Sequence, residues 1–341
     1  MIMTTVFPKQ YFILYGNNIP VKGASRSIIC DLQRAMLYFI PNILFEILTE
    51  HKHQKLIEIY KLCEGEEDIL EEYYSFLVDK ELGFYTDEPE LFPIIEMDWK
   101  TPSLITNSIL DINERSNHNF KQYFLQLDEL GCRAIQIRIL HILTPELIPT
   151  ILDYADDTRI QSIEFLLKYD SYMDTDFFEN LGKKYSRLHY IGVYSSPFEK
   201  LYVSPKIFVT VNYVSTVLEI GDSCGKITPS NFVINIPMFT ESQKYNTCLN
   251  KKISIDTDGN VKNCPSCTKS FGLFGQNNLI DIISHNTFQK MWNISKDEIE
   301  VCKDCEFRYI CTDCRVNITD KNNILSKPLM CNYNPYTATW E

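Results

Sequence analysis

The chain has 341 residues, 45% of them hydrophobic, and carries a formal net charge of −12. That length allows two or three domains with a real apolar core. The acidic balance argues against a nucleic-acid partner, which calls for a basic face, and no apolar run reaches the ~18 residues a membrane helix needs. Residues 1–9 lack a basic stretch followed by an apolar core, so no secretory signal is expected and the chain reads as cytoplasmic.

Three regions separate by pattern, giving an α/β fold class. In residues 1–98 a strand is expected at 11–15, a turn at Gly16-Asn17-Asn18 and a return segment at 19–22. Gly-Asn between β-formers signals a hairpin. Helical patterns follow at 27–39, 42–50, 55–63 and 69–79, with Pro41 parting the first two, and a short strand at 82–86. Hairpin, helices and closing strand suggest a winged-helix-like domain. The acidic stretch 64–72 reads as a solvated helix start.

In residues 99–219 strands are expected at 103–109, 134–140, 160–168, 188–194 and 207–214, with helices at 120–130, 145–154 and 177–184. Strand centres fall about 27 residues apart, the spacing of βα units around a parallel sheet. The strands read as apolar on both sides, as in a sheet covered on both faces. About five strands are too few for a closed eight-stranded barrel, so a partial (β/α) barrel or an open sheet is expected. Residues 220–341 are poorer in long periodic segments, and their fold would depend on metal sites more than on an apolar core.

Twelve cysteines are unevenly placed: Cys30, Cys63 and Cys132 are scattered, and nine lie from Cys224 to Cys331. Close pairs in a chain without an export signal favour metal ligation over disulfides. The strongest signal is Cys302-Lys-Asp-Cys305-Glu-Phe-Arg-Tyr-Ile-Cys311-Thr-Asp-Cys314, two C-x2-C pairs. A two-residue spacing lets a tight turn aim both thiolates at one centre. Upstream, Cys248 precedes a hairpin-like segment whose turn is Asp258-Gly259 and which leads to Cys264-Pro-Ser-Cys267; a single Cys331 follows downstream. Zinc and iron–sulfur clusters both accept four thiolates. One dense group with outliers on both sides points to two interleaved centres. Asp256-Thr-Asp258-Gly-Asn260 lacks the later acidic ligand of a calcium loop and reads as a turn. Arg308 and Arg315, beside the cysteines, either offset thiolate charge or face solvent.

The spacing Cys248-x10-Gly259-x4-Cys264, then Cys302-x2-Cys305-x5-Cys311-x2-Cys314, then Cys331, resembles the seven-cysteine SPASM domain. In radical-SAM peptide-modifying enzymes that domain binds two auxiliary [4Fe–4S] clusters. The family has three residues before the fourth clustered cysteine; here there are two, Thr312 and Asp313, a departure that bears on Cys314. The wording from Lys251 to Asp256, from Lys262 to Ser266, around Cys302–Arg315 and at Asn334-Pro-Tyr336 is similar to the peptide maturases of grasp-with-SPASM systems. Those systems make ribosomally synthesised, post-translationally modified peptides from a precursor peptide, an ATP-grasp ligase and a SPASM protein. The resemblance implies one cluster on Cys302, Cys305, Cys311 and Cys331. It implies another on Cys248, Cys264 and Cys314 with either Cys224 or Cys267 as the fourth ligand, Cys224 being favoured by its place at the end of the last βα unit.

A radical-SAM enzyme carries C-x3-C-x2-C in the loop after its first barrel strand. Here that loop is Ile112-Asn-Glu-Arg-Ser-Asn-His-Asn119, which has no cysteine, and His118 reads as exposed. Cys30, Cys63 and Cys132 read as small core residues. A degenerate barrel without S-adenosylmethionine radical chemistry is therefore expected, as the resemblance also implies. Residues 1–98 would be either a peptide-recognition element or a plain cap on the barrel. In the first reading, the strand at 11–15 offers an edge and the helix at 27–39 a groove wall. The sequence thus points to an iron–sulfur SPASM protein that matures a peptide with an ATP-grasp ligase, as enzyme or accessory subunit. The reading from another class is a non-catalytic peptide-binding adaptor with structural zinc.

Overall fold

The computed structural model describes residues 10–142, 144–217 and 225–341. The chain opens with β1 (Tyr11–Leu14), β2 (Asn18–Val21), β3 (Ser27–Asp31) and β4 (Met36–Ile40). Three helices follow, α1 (Asn42–Glu50), α2 (Leu56–Leu62) and α3 (Glu67–Asp79), then β5 (Gly83–Thr86). The alternating part is β6 (Asn107–Ile112), α4 (Phe120–Glu129), β7 (Ala134–Ile139), α5 (Leu147–Asp153), β8 (Ser162–Lys168), α6 (Thr175–Lys184) and β9 (Leu188–Tyr194). After these come β10 (Lys200–Val203), β11 (Thr210–Tyr213), α7 (Ile236–Ser242), β12 (Lys252–Ile255), β13 (Val261–Lys262), α8 (Leu279–Ile283), α9 (Asn286–Gln289), β14 (Tyr333–Asn334) and β15 (Thr339–Trp340).

The chain divides into two compact units. The first holds Met1–Trp99, Gly225–Thr247 and Ile294–Glu341; the second holds Lys100–Cys224 and Cys248–Asn293. Residues of the 220–341 region thus enter both.

In the second unit an eight-stranded sheet runs β10-β11-β9-β8-β7-β6-β12-β13. Pairing is parallel from β11 through β12, with β10 and β13 antiparallel at the two edges. The five strands expected before residue 220 become six with β10, and β12 and β13 bring the sheet to eight. The first of them is placed late: the ladder begins at Asn107, while residues 104–106 make single bonds to Leu130 and Lys251.

The sheet is not apolar on both sides. In Ala-Ile-Gln-Ile-Arg-Ile of β7 and Ser-Ile-Glu-Phe-Leu-Leu-Lys of β8, buried and half-buried residues alternate strictly. One face carries Leu110, Ile137, Phe165, Ile191 and Val211 in register, and α4, α5 and α6 pack on it through Tyr123, Phe124, Ile151 and Phe178. The other face carries Asp111, Arg138, Gln136 and Glu164, which bond one another: Arg138 donates two bonds of 2.6 Å to Asp111, and Gln136 donates to Glu164 at 3.3 Å. Period-2 placement separates apolar from polar side chains to opposite faces.

In the first unit the 27–39 segment is not a helix. It is the hairpin β3–β4, in a three-stranded sheet with β2. Its apolar spacing mimics a helical one, but Asp31 breaks the run. The Asp31 carboxylate accepts the backbone N–H groups of Gln33 and Arg34, and Ala35 takes φ +55°. That is turn chemistry, and β-branched Ile28 and Ile29 suit the strand before it. Nor do 11–15 and 19–22 pair as a hairpin: β1 pairs with β5 and β2 with β3. Helices α1 and α3 bury Leu44, Ile47, Leu48 and Leu70, Tyr74, Leu77, the i, i+3/i+4 stripe of a packed helix. Among the described residues, no helix is long and apolar enough to cross a membrane.

Candidate metal centre

The dense cysteine segment lies in the first unit and is built from turns. Val301, with φ +67° and ψ −44°, precedes a single 3-10 turn over Cys302–Asp304. Those torsions are close to the strained γ-turn, unusual for a β-branched residue. The Cys305 N–H bonds the Cys302 carbonyl at 3.0 Å, so the C-x2-C pair folds onto one turn. Cys311 comes from the next turn, with its N–H 3.0 Å from the Phe307 carbonyl. Cys331 arrives from far along the chain, beside Ile227 in a parallel bridge. Cys305, Cys311 and Cys331 pack against one apolar cluster that includes Phe239, Phe307, Ile310 and Tyr333.

The four thiols lie within electrostatic reach of one another: Cys302 feels Cys331, Cys305 feels Cys311 and Cys302, and Cys311 feels Cys302 and Cys331. Burial pushes Cys302 and Cys311 up to about 12 and Cys305 well above its ordinary value. As free thiols Cys302, Cys305 and Cys311 hold their protons, and a bound cationic centre would make them thiolates.

The charges around this pocket are sorted. Arg315 is buried and gives Asp313 two bonds, of 3.0 and 2.6 Å, while its remaining donor reaches the carbonyls of Ile324 and Ser326. The other Asp313 oxygen accepts from Asn246 at 2.5 Å. Arg308 is held by Asp297 at 2.9 Å and by the Cys305 carbonyl. Glu306 takes Arg26 and Tyr333 on one oxygen, at 2.8 and 2.5 Å. The two arginines thus have structural partners. Among the described residues, Lys296 differs: it is 2% exposed and has no hydrogen-bond partner for its ammonium. Its charge acts on both Cys302 and Cys311. Nothing in Ser-Lys296-Asp-Glu distinguishes this lysine from a surface one.

Of the second expected set, Cys248 and Cys264 belong to the second unit and Cys314 to the first, and Cys224 lies outside the described residues. Within the second unit, Cys264-Pro-Ser-Cys267 forms a turn in which the Cys267 N–H meets the Cys264 carbonyl at 2.9 Å. A bond from the Cys267 thiol lowers Cys264 to about 6 against the opposing effect of burial, helped by the Ser266 N–H and by the charges of Lys252 and Arg138. The Lys252 ammonium is also 3.8 Å from the Cys248 sulfur. In the first unit, the backbone at Gly225 passes so close to Cys314 that a Cβ there would sit 2.8 Å from the cysteine's own Cβ. Cys30 and Cys132 are buried core thiols.

Among the described residues, no three His, Cys, Asp or Glu side chains form a group that could hold a single metal ion. A four-iron cluster spreads its thiolates over separate corners, wider than the tetrahedron around one zinc. The first set fits such a group in its chemistry: three of the four thiols, Cys305, Cys311 and Cys331, share an apolar surround, Cys302 lies within electrostatic reach of all three, and a buried cation stands beside them without a hydrogen-bond partner.

The loop after β6 lines a cavity of about 340 Å³ in the second unit, together with the β12–β13 turn. Arg115, His118, Asn119, Gln122 and Asp258 face it. His118 is half-buried rather than exposed, its Nε2 2.9 Å from the Asp111 carbonyl. The volume is at the low end for small-molecule sites, and the place, beyond the carboxyl ends of parallel strands, is where α/β proteins put them. The expected Asp256–Asn260 turn is present: Asp256 accepts from the N–H groups of Asp258 and Asn260, and Gly259 has φ +84°.

These features define a mixed α/β protein with an eight-stranded, mostly parallel sheet, an arrangement consistent with a partial barrel, and a cysteine-rich C-terminal region. No family model matches the chain, and no curated protein matches it. Among solved structures it is similar to Streptococcus suis SuiB, in a crystal structure bound to S-adenosylmethionine. Identity is 11% over 93% of this chain and 98% of that one, with a TM-score of 0.39. A likeness that loose carries no argument about activity.

Proposed function

We propose that this chain is an iron–sulfur protein of the SPASM type that takes part, with an ATP-grasp ligase, in maturing a ribosomally synthesised precursor peptide. It does so without a radical S-adenosylmethionine cluster of its own. The observation that carries the reading is that Cys302, Cys305, Cys311 and Cys331, all half-buried, lie within electrostatic reach of one another, in the grouping the SPASM resemblance implies. The four-iron cluster those thiolates would hold supplies electron transfer or rigid cross-linking of the chain. Cys248, Cys264 and Cys314 would serve a second cluster. Cys224, favoured by its place at the end of the last βα unit, or Cys267 would be the fourth ligand. The precursor peptide would add as a strand beside β1, which among the described residues pairs only with β5. No helix at 27–39 walls that edge, so recognition would rest on backbone pairing and on Tyr11 and Ile13.

Metal analysis tests this. Protein purified without oxygen should be brown and contain about eight iron and eight sulfide per chain if both four-iron sites fill. Cys302→Ala should remove half, and Cys224→Ala should cost more iron than Cys267→Ala. Zinc without iron would replace this reading with the peptide-binding adaptor.

A further inference from the structure

Lys296 is the outlier among the charges of the first unit. An ammonium away from water without an acceptor is strongly unfavourable, so buried lysines are paired. The carboxylate within its electrostatic reach, Asp313, has both oxygens occupied by Arg315 and Asn246. The other groups on which its charge acts are the thiols of Cys302 and Cys311, which as neutral S–H groups offer weak acceptors and no countercharge. The surround of Lys296 is therefore electrostatically incomplete: a buried ammonium with no acceptor and no countercharge of its own. Four thiolates outweigh the charge of a divalent ion or of an oxidised four-iron cluster, so a loaded centre would be an anion facing that ammonium.

We infer that Lys296 is the resident countercharge of the Cys302, Cys305, Cys311 and Cys331 centre, stabilising its bound and reduced forms. The inference rests on the proposed metal-thiolate reading. Arg315 also acts on Cys302, but its charge is offset by two bonds to Asp313, and that of Arg308 by Asp297, so neither leaves a net cation at the centre. Lys296 acts through the thiolate centre and is a positioning residue. Adding an electron makes the centre more negative, so a nearby cation favours reduction. Removing that cation should lower the midpoint and loosen the cluster.

The test uses full-length protein kept without oxygen, comparing wild type with Lys296→Met, which keeps length and removes charge, and Lys296→Arg, which keeps charge. In a dye-mediated redox titration, K296M should move one midpoint negative and leave any second one in place. The reduced-to-oxidised ratio at the wild-type midpoint should fall tenfold, which is about 59 mV for one electron. Loss of iron to a chelator should quicken about tenfold on the same charge argument. K296R should stay near wild type. An unchanged midpoint and unchanged loss rate in K296M would overturn the inference. So would equal shifts in K296M and K296R, which would make the residue a packing element. Should K296M not fold, Lys296→Gln carries the same comparison. If the wild type holds zinc alone, the iron reading fails, and the inference then stands or falls on whether K296M weakens zinc binding. If it holds no metal, both fail.

Discussion

The sheet of the second unit and the cysteine-bearing turns of the first are ordered by different forces. From β11 through β12 the sheet is a continuous parallel ladder, and its covered face is aliphatic and aromatic throughout. Residues 294–341 contain one 3-10 turn and two strands of two residues each. They also bury Lys296, Glu306, Asp313 and Arg315, where an apolar core would put leucines. Burial of apolar surface stabilises the first kind of structure without help. The second kind gathers thiols and charges whose desolvation apolar burial does not repay; in the function proposed above, a bound metal would complete the set.

Removing the metal should break that comparison most visibly. With iron oxidised and chelated, amide exchange in residues 302–331 should rise steeply, a loss of several kcal/mol of local stability, while the β6–β9 ladder stays protected. Equal protection with and without metal would mean that the turns stand on packing alone. Next in size is Phe165→Ala in β8. Phe165 is fully buried at the centre of the ladder, so the substitution should cost about 3–5 kcal/mol in urea denaturation. The cost should be the same whether or not the metal is present. A metal-dependent cost would tie the sheet to the centre.

Smallest is Asp31, far in sequence from the clustered cysteines of residues 302–331. Burial raises its pKa, but the backbone and side-chain bonds from Arg34, with that from Gln33, outweigh this and hold it below its ordinary 3.8. A carboxylate whose pKa folding depresses contributes fully above about pH 5 and loses that contribution as pH falls through 3.8 and below. Asp31→Asn should therefore cost about 1–3 kcal/mol at pH 7 and progressively less toward pH 3. Thermal unfolding of the two proteins across that range checks it, and a cost independent of pH would assign the effect to turn geometry instead of charge.

The alternating part was legible in the sequence because short β-type runs and helical patterns recurring about every 27 residues are local signals, although the polar second face of the strands was not read from them. β9 begins and ends at the residues expected, and α4 and α6 start at Asn119 and Asp174 caps that bond Gln122 and Phe177. Residues 27–39 misled because isoleucines at 28 and 29 with leucines at 32 and 37 fit a helical stripe almost as well as two strands. What decides between them is the Asp31 turn, a bond pattern and not a hydropathy pattern. β12 and β13 read as a local hairpin; that they extend the large sheet beside β6 is a long-range pairing no local window contains.

Residue type and spacing alone marked the C-x2-C pairs as tight turns suited to ligation and showed no cysteine in the 112–119 loop, because a turn of fixed length fixes where neighbouring side chains can aim. Only the folded chain brought Cys331 beside Cys302, Cys305 and Cys311, left Lys296 in their company without an acceptor, and gave Arg315 to Asp313. Those relations depend on which distant segments exclude water together, and desolvation is a property of a place in space, not of a position in the chain.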